Sequence, residues 1–371
     1  MDVIINYYSK ARNSFNMSEE EFNKELAYNQ NRIVSKIVDR DKIRPSREIL
    51  DQIEKFEQLI NTKWLELQDM PEARIMIEPN EVELTYDQNR IVNKRLECAD
   101  MYHEFQIPKH SGGFRTISAP SDELKAAQHT ILVMMTRKLK YLPSNNAHGF
   151  TKHRNCKTAL EVHQAKGSRW FLKMDIKDFF PNTTAEKLDE ALKTTYPFCL
   201  MTACSRSRLI QICTVEGCLP QGAPTSPLLT NMVMGFVDKE INDYCKEHGY
   251  VYTRYADDIL ISSKYSFDKE EVVARIGECV AARGYELKLE KTRYGSFNGR
   301  NWNLGLMFNN QGKITVGHEK KHRVKVMLHN YLTKEDQHTE ENRYKLIGII
   351  GYCRYIEPEY FAPYMELILN N

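Results

Sequence analysis

The stretch YADDILIS, residues 255–262, places two acids side by side in an apolar setting. The residues before and after the acid pair are typical of two short strands joined by a tight turn. The pattern therefore puts Asp257 and Asp258 at the tip of a β-hairpin. Neighbouring carboxylates repel each other, and burying them is costly without a cation. Two interpretations are open: a solvated surface turn, or a cleft that binds a cation.

A third acid, Asp175, ends the predicted strand FLKMD. An acid at the end of a strand can reach the same sheet edge as a hairpin tip. Three converging carboxylates with no matching cation in the sequence predict a hard divalent ion, and oxygen ligands suit Mg²⁺. Two such ions can activate an attacking hydroxyl and hold a triphosphate leaving group. The alternative is that Asp175 caps the turn that follows it.

The order of predicted elements indicates the fold class. Residues 1–100 are predicted to be mostly helical, with apolar residues recurring every three or four positions between 49 and 67. Residues 105–120 are predicted to form two strands around a Gly-Gly turn. Strands and helices then alternate irregularly, and the chain is predicted to be helical from 317 onward. This mixed order predicts the α+β class rather than a doubly wound sheet.

Length and charge set further limits. A chain of 371 residues is long enough for two or three domains, and its net charge of +2 confines any nucleic-acid surface to a local patch. No apolar run approaches the roughly 20 residues of a membrane span, and the start lacks the pattern of a signal peptide. We therefore expect a cytoplasmic protein whose nine cysteines are reduced thiols.

Seven segments, in order, resemble those of reverse transcriptases. FLKMDIKDFF, LPQGAPTSP and YADD resemble the three catalytic segments, and the flanking matches are IPKHSGGFR, AHGFTKHRN, GYELKLEKT and NWNLGLMF. The resemblance spans about residues 104–371. It implies an RNA-directed DNA polymerase, a nucleotidyltransferase with a right-hand fold. The expected domains are a helical N-terminal extension (1–100), fingers (101–165 with part of 185–215), a ferredoxin-like palm (166–316) and a helical thumb (317–371).

The resemblance also implies roles for individual residues. Asp175, Asp257 and Asp258 would hold two Mg²⁺ ions, together with the carbonyl of Ile176. The residues implied to contact the nucleotide are Lys109, Arg115, Asp178, Phe180, Gln221 and Lys291. The implied primer grip comprises Trp302, Leu304 and Gly305. The basic residues implied to track nucleic acid along the thumb are Lys320, Lys321, Arg323 and Lys325.

Phe180 has the most specific implied role. It lies five residues after Asp175, where the family places a bulky ring that clashes with a ribose 2′-hydroxyl. Such a ring selects deoxynucleotides by excluding the competitor. Without the resemblance, a core aromatic would be the simpler interpretation of Phe180, and a solvated hairpin the simpler interpretation of Lys109 and Arg115.

The segments most resemble those of bacterial retron and antiviral-defence reverse transcriptases, which copy a dedicated noncoding RNA. The retron Asn-Ala-x-x-His element is represented only by His163 in CKTALEVHQ, and the retron Val-Thr-Gly is replaced at 302–305. We therefore expect a non-retron enzyme of antiphage defence. Its partners would be a noncoding RNA template, a DNA product and deoxynucleoside triphosphates, with a homo-oligomer or a defence effector protein left open.

Three alternatives to this reading remain open. The first is a retron reverse transcriptase that makes RNA-linked DNA. The second is template-independent or protein-primed DNA synthesis, and the third is an RNA-binding scaffold without catalysis.

Overall fold

A computed structural model describes residues 45–78, 93–109, 112–297, 302 and 305–370. The expectations for Leu304 and for the first 44 residues lie outside this range. The described residues form two compact units. The first lies within 1–147, 177–240 and 279–286, and the second within 148–176, 241–278 and 287–371.

Helices and strands follow one another in a mixed order, which confirms the α+β class. In chain order they are α1 (Arg47–Gln68), β1 (Arg74–Glu78), β2 (Asn93–Glu97), β3 (Tyr102–Pro108), β4 (Phe114–Pro120), α2 (Asp122–Val133), α3 (Cys156–Ala165), β5 (Trp170–Asp175), α4 (Ala185–Thr194), α5 (Ala203–Cys213), α6 (Ser226–Glu247), β6 (Val251–Tyr255), β7 (Asp258–Ser263), α7 (Lys269–Ala281), β8 (Arg293–Ser296), β9 (Met307–Phe308), β10 (Ile314–Thr315), α8 (His318–Thr333), α9 (Glu340–Ile356) and α10 (Pro358–Leu369).

Helix α1 belongs to the core of the first unit. Ser46 caps it, since its hydroxyl accepts a hydrogen bond from the backbone N–H of Ile49. The predicted apolar stripe is buried at its centre, where Phe56 packs edge-on against Phe198. Trp64 donates a 2.8 Å hydrogen bond to Gln211 of α5. These contacts make α1 an integral part of the first unit.

Residues 1–100 were predicted to be mostly helical, but their described segments after α1 include two strands. Strands β1 and β2 pair antiparallel, with Arg74 opposite Glu97. Both segments, RIMIE and NKRLE, are too short for a stable helix, and pairing satisfies their backbone groups.

The second unit is built around one four-stranded antiparallel sheet in the order β6-β7-β5-β8. Strand β5 lies between β7 and β8, so both of its edges are paired. Phe171 on β5 stacks on Trp302 at a ring separation of 5.1 Å and joins a core that includes apolar residues of α8, α9 and α10. This core fixes the sheet whose end carries the predicted site.

Two of the segments that resemble reverse transcriptases contain little strand. GYELKLEKT contains a 3₁₀ turn at Leu289–Lys291 before β8, and in NWNLGLMF only Met307–Phe308 is a described strand. Just before the turn, the backbone N–H of Lys288 bonds to the carbonyl of Asp175 at 2.8 Å, which holds this part of the chain at the end of β5. In the parts of the chain that the structure describes, no helix is long and apolar enough to cross a membrane.

Candidate active site

The three predicted acids lie at one end of the sheet of the second unit. Asp175 ends β5 directly opposite Asp258, the first residue of β7. The backbone N–H of Ile176 donates a 2.9 Å hydrogen bond to the carbonyl of Asp257. The hairpin tip and the strand end therefore meet, as the sequence predicted. Directly opposed like charges destabilise a sheet, so this arrangement needs compensation.

Lysine side chains provide that compensation. Lys173 Nζ lies 2.7 Å from Asp258 Oδ2. Lys288 Nζ lies 3.1 Å from Asp175 Oδ1, and Lys291 Nζ lies 3.2 Å from Asp175 Oδ2. The expectation that no cation matches the acids is therefore wrong. Lys173 could have been found in the sequence, because it lies two residues before Asp175 and alternation puts both on one face of β5.

The chemistry of the acids suits a divalent cation, although Asp175 and Asp258 are paired with lysines in this structure. Among the described residues, no three acidic, histidine or cysteine side chains come together closely enough to hold a metal ion as they stand. Asp175 Oδ1 is buried, and the ammonium group of Lys288 at 3.1 Å pairs with it without meeting hydrogen-bond geometry. Burial, followed by the charges of Asp175 and Asp258, raises the pKa of Asp257 above its usual range. A divalent cation bound to these oxygens would offset the cost of holding the buried, mutually repelling carboxylates in their ionised form.

The turn that carries Asp257 has an unusual backbone conformation. Ala256 has a φ of +55°, which residues with a Cβ atom rarely adopt. The fully buried Arg254 supports this turn, since its Nη1 donates a 3.0 Å hydrogen bond to the carbonyl of Ala256. The backbone N–H of His148 in turn bonds to the carbonyl of Arg254 at 2.7 Å. Arg254 therefore helps to place the acids, a role that the sequence analysis missed.

Gly149 is a second missed residue. A Cβ atom at Gly149 would lie 2.5 Å from the backbone nitrogen of Ala256 and 3.1 Å from the carbonyl carbon of Tyr255. Only glycine allows this close approach of two backbones. The segment AHGFTKHRN, noted only for its resemblance, thus packs directly against the turn of YADD.

The implied phosphate contacts lie on a hairpin of the first unit. Lys109 and Arg115 are exposed at either side of the turn between β3 and β4. The turn is closed by the backbone N–H of Lys109 bonding to the carbonyl of Gly113 at 2.9 Å. Exposed cations on a narrow hairpin are free of the desolvation cost that burial imposes, so they can bind an anion from solution.

The segment LPQG packs against the same hairpin. The backbone N–H of Ser118 on β4 bonds to the carbonyl of Gln221 at 2.8 Å. Gly222 has a φ of +137°, and a Cβ there would lie 2.6 Å from the carbonyl oxygen of Ser118. Glycine is therefore required at 222.

The aromatic pair after β5 divides into a core residue and a half-buried one. Phe179 is buried, and the ring of Phe180 lies 5.5 Å from it, edge-on and partly exposed. Asp178 is exposed and has a φ of +45°, and its carbonyl accepts a hydrogen bond from Asn182. Phe180 is thus available at a surface of the first unit.

The implied primer grip is partly a core segment. The indole of Trp302 is only 2% exposed, and its Nε1 donates a hydrogen bond to the carbonyl of Phe297. Gly305 occupies a turn with a φ of +87°. The ring of Trp302 therefore stabilises the sheet, and contact with a primer by this segment stays a prediction.

The four basic residues of α8 differ in their surroundings. Lys321 forms an ion pair with Glu357, and Lys320 lies 5.0 Å above the ring of Tyr352. Arg323 is exposed to solvent, and the exposed Lys325 lies 5.8 Å above the ring of Tyr360. Contact of these four residues with a nucleic-acid backbone stays a prediction.

Comparison with known proteins places the chain in a family. The sequence model described as "Reverse transcriptase (RNA-dependent DNA polymerase)" matches residues 107–344. The chain belongs to the reverse transcriptase family. Retron Mx65 reverse transcriptase of Myxococcus xanthus is 35% identical over 286 residues, which cover 72% of this chain and 64% of that protein. Retron Ec86 reverse transcriptase of Escherichia coli is 31% identical, covering 62% of this chain and 69% of that protein.

The match to some relatives is partial. The chain spans 64% of the Mx65 protein and 60% of retron Mx162 reverse transcriptase of Myxococcus xanthus, which is 30% identical over 294 residues. Among solved structures, a telomerase from Candida albicans is 12% identical with a TM-score of 0.42, covering 85% of this chain and 61% of that one. That likeness is too weak to bear on the site.

Proposed function

We propose that this reverse transcriptase is an RNA-directed DNA polymerase of the retron type, which copies an associated noncoding RNA into DNA. The observation that carries the proposal is the meeting of Asp175, Asp257 and Asp258 at one sheet end in a member of this family. Several relatives are named retron enzymes, which favours the retron alternative over the expected non-retron enzyme. A role in antiphage defence is proposed from the resemblance alone.

Two Mg²⁺ ions would be held by the carboxylates of Asp175, Asp257 and Asp258 and by the carbonyl of Ile176. When bound, such ions favour the deprotonated attacking hydroxyl and balance the charge of the leaving pyrophosphate. The protein's own residues supply the rest. Lys109 and Arg115 would bind the triphosphate, because cations on an exposed turn can close over phosphate oxygens. Lys291 would give a proton to the leaving group.

Further residues would select and position the substrates. Asp178 and Gln221 are proposed to lie on the nucleotide side of the site, and Phe180 is proposed to exclude ribose. The segment with Trp302, Leu304 and Gly305 would support the primer. Lys320, Lys321, Arg323 and Lys325 would attract the nucleic-acid backbone.

The proposed exclusion of ribose by Phe180 can be tested by substitution. Replacing Phe180 with alanine removes the ring that would clash with a 2′-hydroxyl, so ribonucleotide incorporation should rise relative to deoxynucleotide incorporation. The measurement is the ratio of kcat/KM values for the two nucleotides on one RNA template. An unchanged ratio in Phe180→Ala would show that Phe180 does not exclude ribonucleotides.

The main test is DNA synthesis by the protein purified with its co-expressed RNA. On addition of Mg²⁺ and labelled deoxynucleotides, the wild type should make DNA complementary to that RNA, and Asp257→Asn/Asp258→Asn should make none. Asp336→Asn, which removes an exposed acid from a 3₁₀ turn, is the matched control and should leave synthesis intact. Equal products from wild type and double variant would contradict the proposal.

Sequencing the product separates the alternatives. DNA that is not complementary to the RNA would indicate template-independent synthesis. A product whose gel mobility changes on protease treatment would indicate protein priming. RNA binding without any DNA product would favour the scaffold.

A further inference from the structure

Lys173 is placed differently from the other lysines near the acids. It lies on β5, two residues before Asp175, with Leu260 opposite it on β7. Its side chain is 11% exposed and runs diagonally across the strand pair to Asp258. The side chains of Lys288 and Lys291 are 23% and 50% exposed and come from the turn before β8. Lys173 alone of the three is fixed on the sheet that carries the acids.

The geometry gives Lys173 an electrostatic task. Asp175 and Asp258 are directly opposed on adjacent strands, which costs free energy when both are ionised. Lys173 Nζ, 2.7 Å from Asp258 Oδ2, compensates one of these charges. Leaving a buried cation without its partner costs free energy, so breaking the ion pair between Lys173 and Asp258 is unfavourable. Any divalent ion that binds Asp258 must therefore compete with it.

We propose that Lys173 is an internal counter-cation that occupies Asp258 in the metal-free protein and sets the affinity of the acids for divalent ions. The proposal rests on the proposed function, since it takes the acids to be the metal site. Lys173 acts through Asp258 and is a positioning residue. It keeps the sheet end stable without metal, at the cost of weaker metal binding.

The proposal predicts a gain where simple structural damage would give a loss. Lys173→Met removes the charge that competes with the metal ion. Mn²⁺, used as a paramagnetic probe, should therefore bind the variant on the order of tenfold tighter than the wild type. Coulomb's law gives this magnitude for one charge about 5 Å from a divalent ion in a water-like medium. The metal-free variant should melt at a lower temperature than the wild type, and Mn²⁺ should raise its melting temperature more. The measurements are Mn²⁺ titration by electron paramagnetic resonance and thermal unfolding, both on the full chain.

Three further variants complete the design. Lys173→Arg keeps the charge and should retain wild-type Mn²⁺ affinity. Lys177→Met removes a lysine that pairs with Glu286 instead of a site acid, and should also bind as the wild type does. Lys173→Gln repeats the loss of charge with a polar side chain, in case methionine is not tolerated.

Each outcome decides a different claim. If the wild type binds no Mn²⁺, or if Asp257→Asn/Asp258→Asn binds it equally well, the proposed function fails. If the wild type binds Mn²⁺ at the acids but Lys173→Met and Lys173→Gln bind it no more tightly, the role of Lys173 fails alone. If neither variant folds even with Mn²⁺ present, a metal cannot replace the charge of Lys173, and the inference is again overturned.

Discussion

Gly149→Ala is the sharpest perturbation of the turn that holds the acids. The added methyl group would lie 2.5 Å from the nitrogen of Ala256, 3.1 Å from the carbonyl carbon of Tyr255 and 3.3 Å from the Tyr255 ring. The two shortest contacts are with backbone atoms, which cannot rotate away. Overpacking of this kind lowers the free energy of unfolding by about 1–3 kcal/mol. Because the neighbouring backbone atoms are rigid, we expect a loss of about 3 kcal/mol for Gly149→Ala.

The turn should move to accommodate the methyl group, and the acids move with it. Because misplacement of a reacting group by about 1 Å can cost on the order of 10²-fold in rate, we expect DNA synthesis to fall by at least tenfold. The assays are urea unfolding and single-nucleotide extension of a primer on an RNA template. Both are made on the same preparation, so that loss of folded protein is separated from loss of activity.

The matched control adds the same methyl group where there is room. A Cβ at Gly348, inside α9, would meet nothing within 4 Å. Gly348→Ala should stabilise the protein by about 0.5–1 kcal/mol, because alanine favours the helix more than glycine does. If Gly149→Ala proves as stable and as active as the wild type, the close approach to Ala256 does not support the turn and the reasoning is refuted.

Two further predictions concern buried ionisable groups. His163 lies between Ser262 and Thr253, and burial, with a smaller effect of His148, lowers its pKa to about 3. Below about pH 6.5 the unfolded chain binds a proton at this residue that the folded chain does not. The free energy of unfolding should therefore fall by about 1.4 kcal/mol for each pH unit below that value. In His163→Gln the urea midpoint should depend less steeply on pH between about pH 7.5 and 5. Asp257→Asn should raise the melting temperature of the metal-free protein, because the raised pKa of Asp257 shows that its ionised form is unfavourable when folded; an unchanged or lower melting temperature would count against this.

The sequence predicted the parts of the site that depend on local pattern. A strand ending in an acid and an acid pair between two strands lead directly to Asp175 opposite Asp258. The two strands around a Gly-Gly turn at 105–120 were likewise visible, because the hairpin depends on one short segment; in the structure they are β3 and β4.

Other parts depend on contacts between distant segments. Lys288 reaches Asp175 only because its backbone bonds to the end of β5, 113 positions earlier in the chain. Gly149 and Arg254 support Ala256 through packing that has no periodic signature in the sequence. The strands β1 and β2 were missed because five-residue segments carry too little periodicity to distinguish a strand from the helix before them. The domain boundaries of fingers, palm and thumb stay a prediction.

The most direct measurement locates metal ions in the protein itself. Crystals grown with Mn²⁺, an RNA template, a DNA primer and an unreactive deoxynucleotide would give the ion positions by anomalous scattering. We predict ions bound to oxygens of Asp175, Asp257 and Asp258 at about 2.0–2.3 Å, with Asp258 released from Lys173. Ions bound elsewhere, with Asp175 and Asp258 still paired with their lysines while primer and nucleotide are in place, would contradict the assignment of these acids as the catalytic centre.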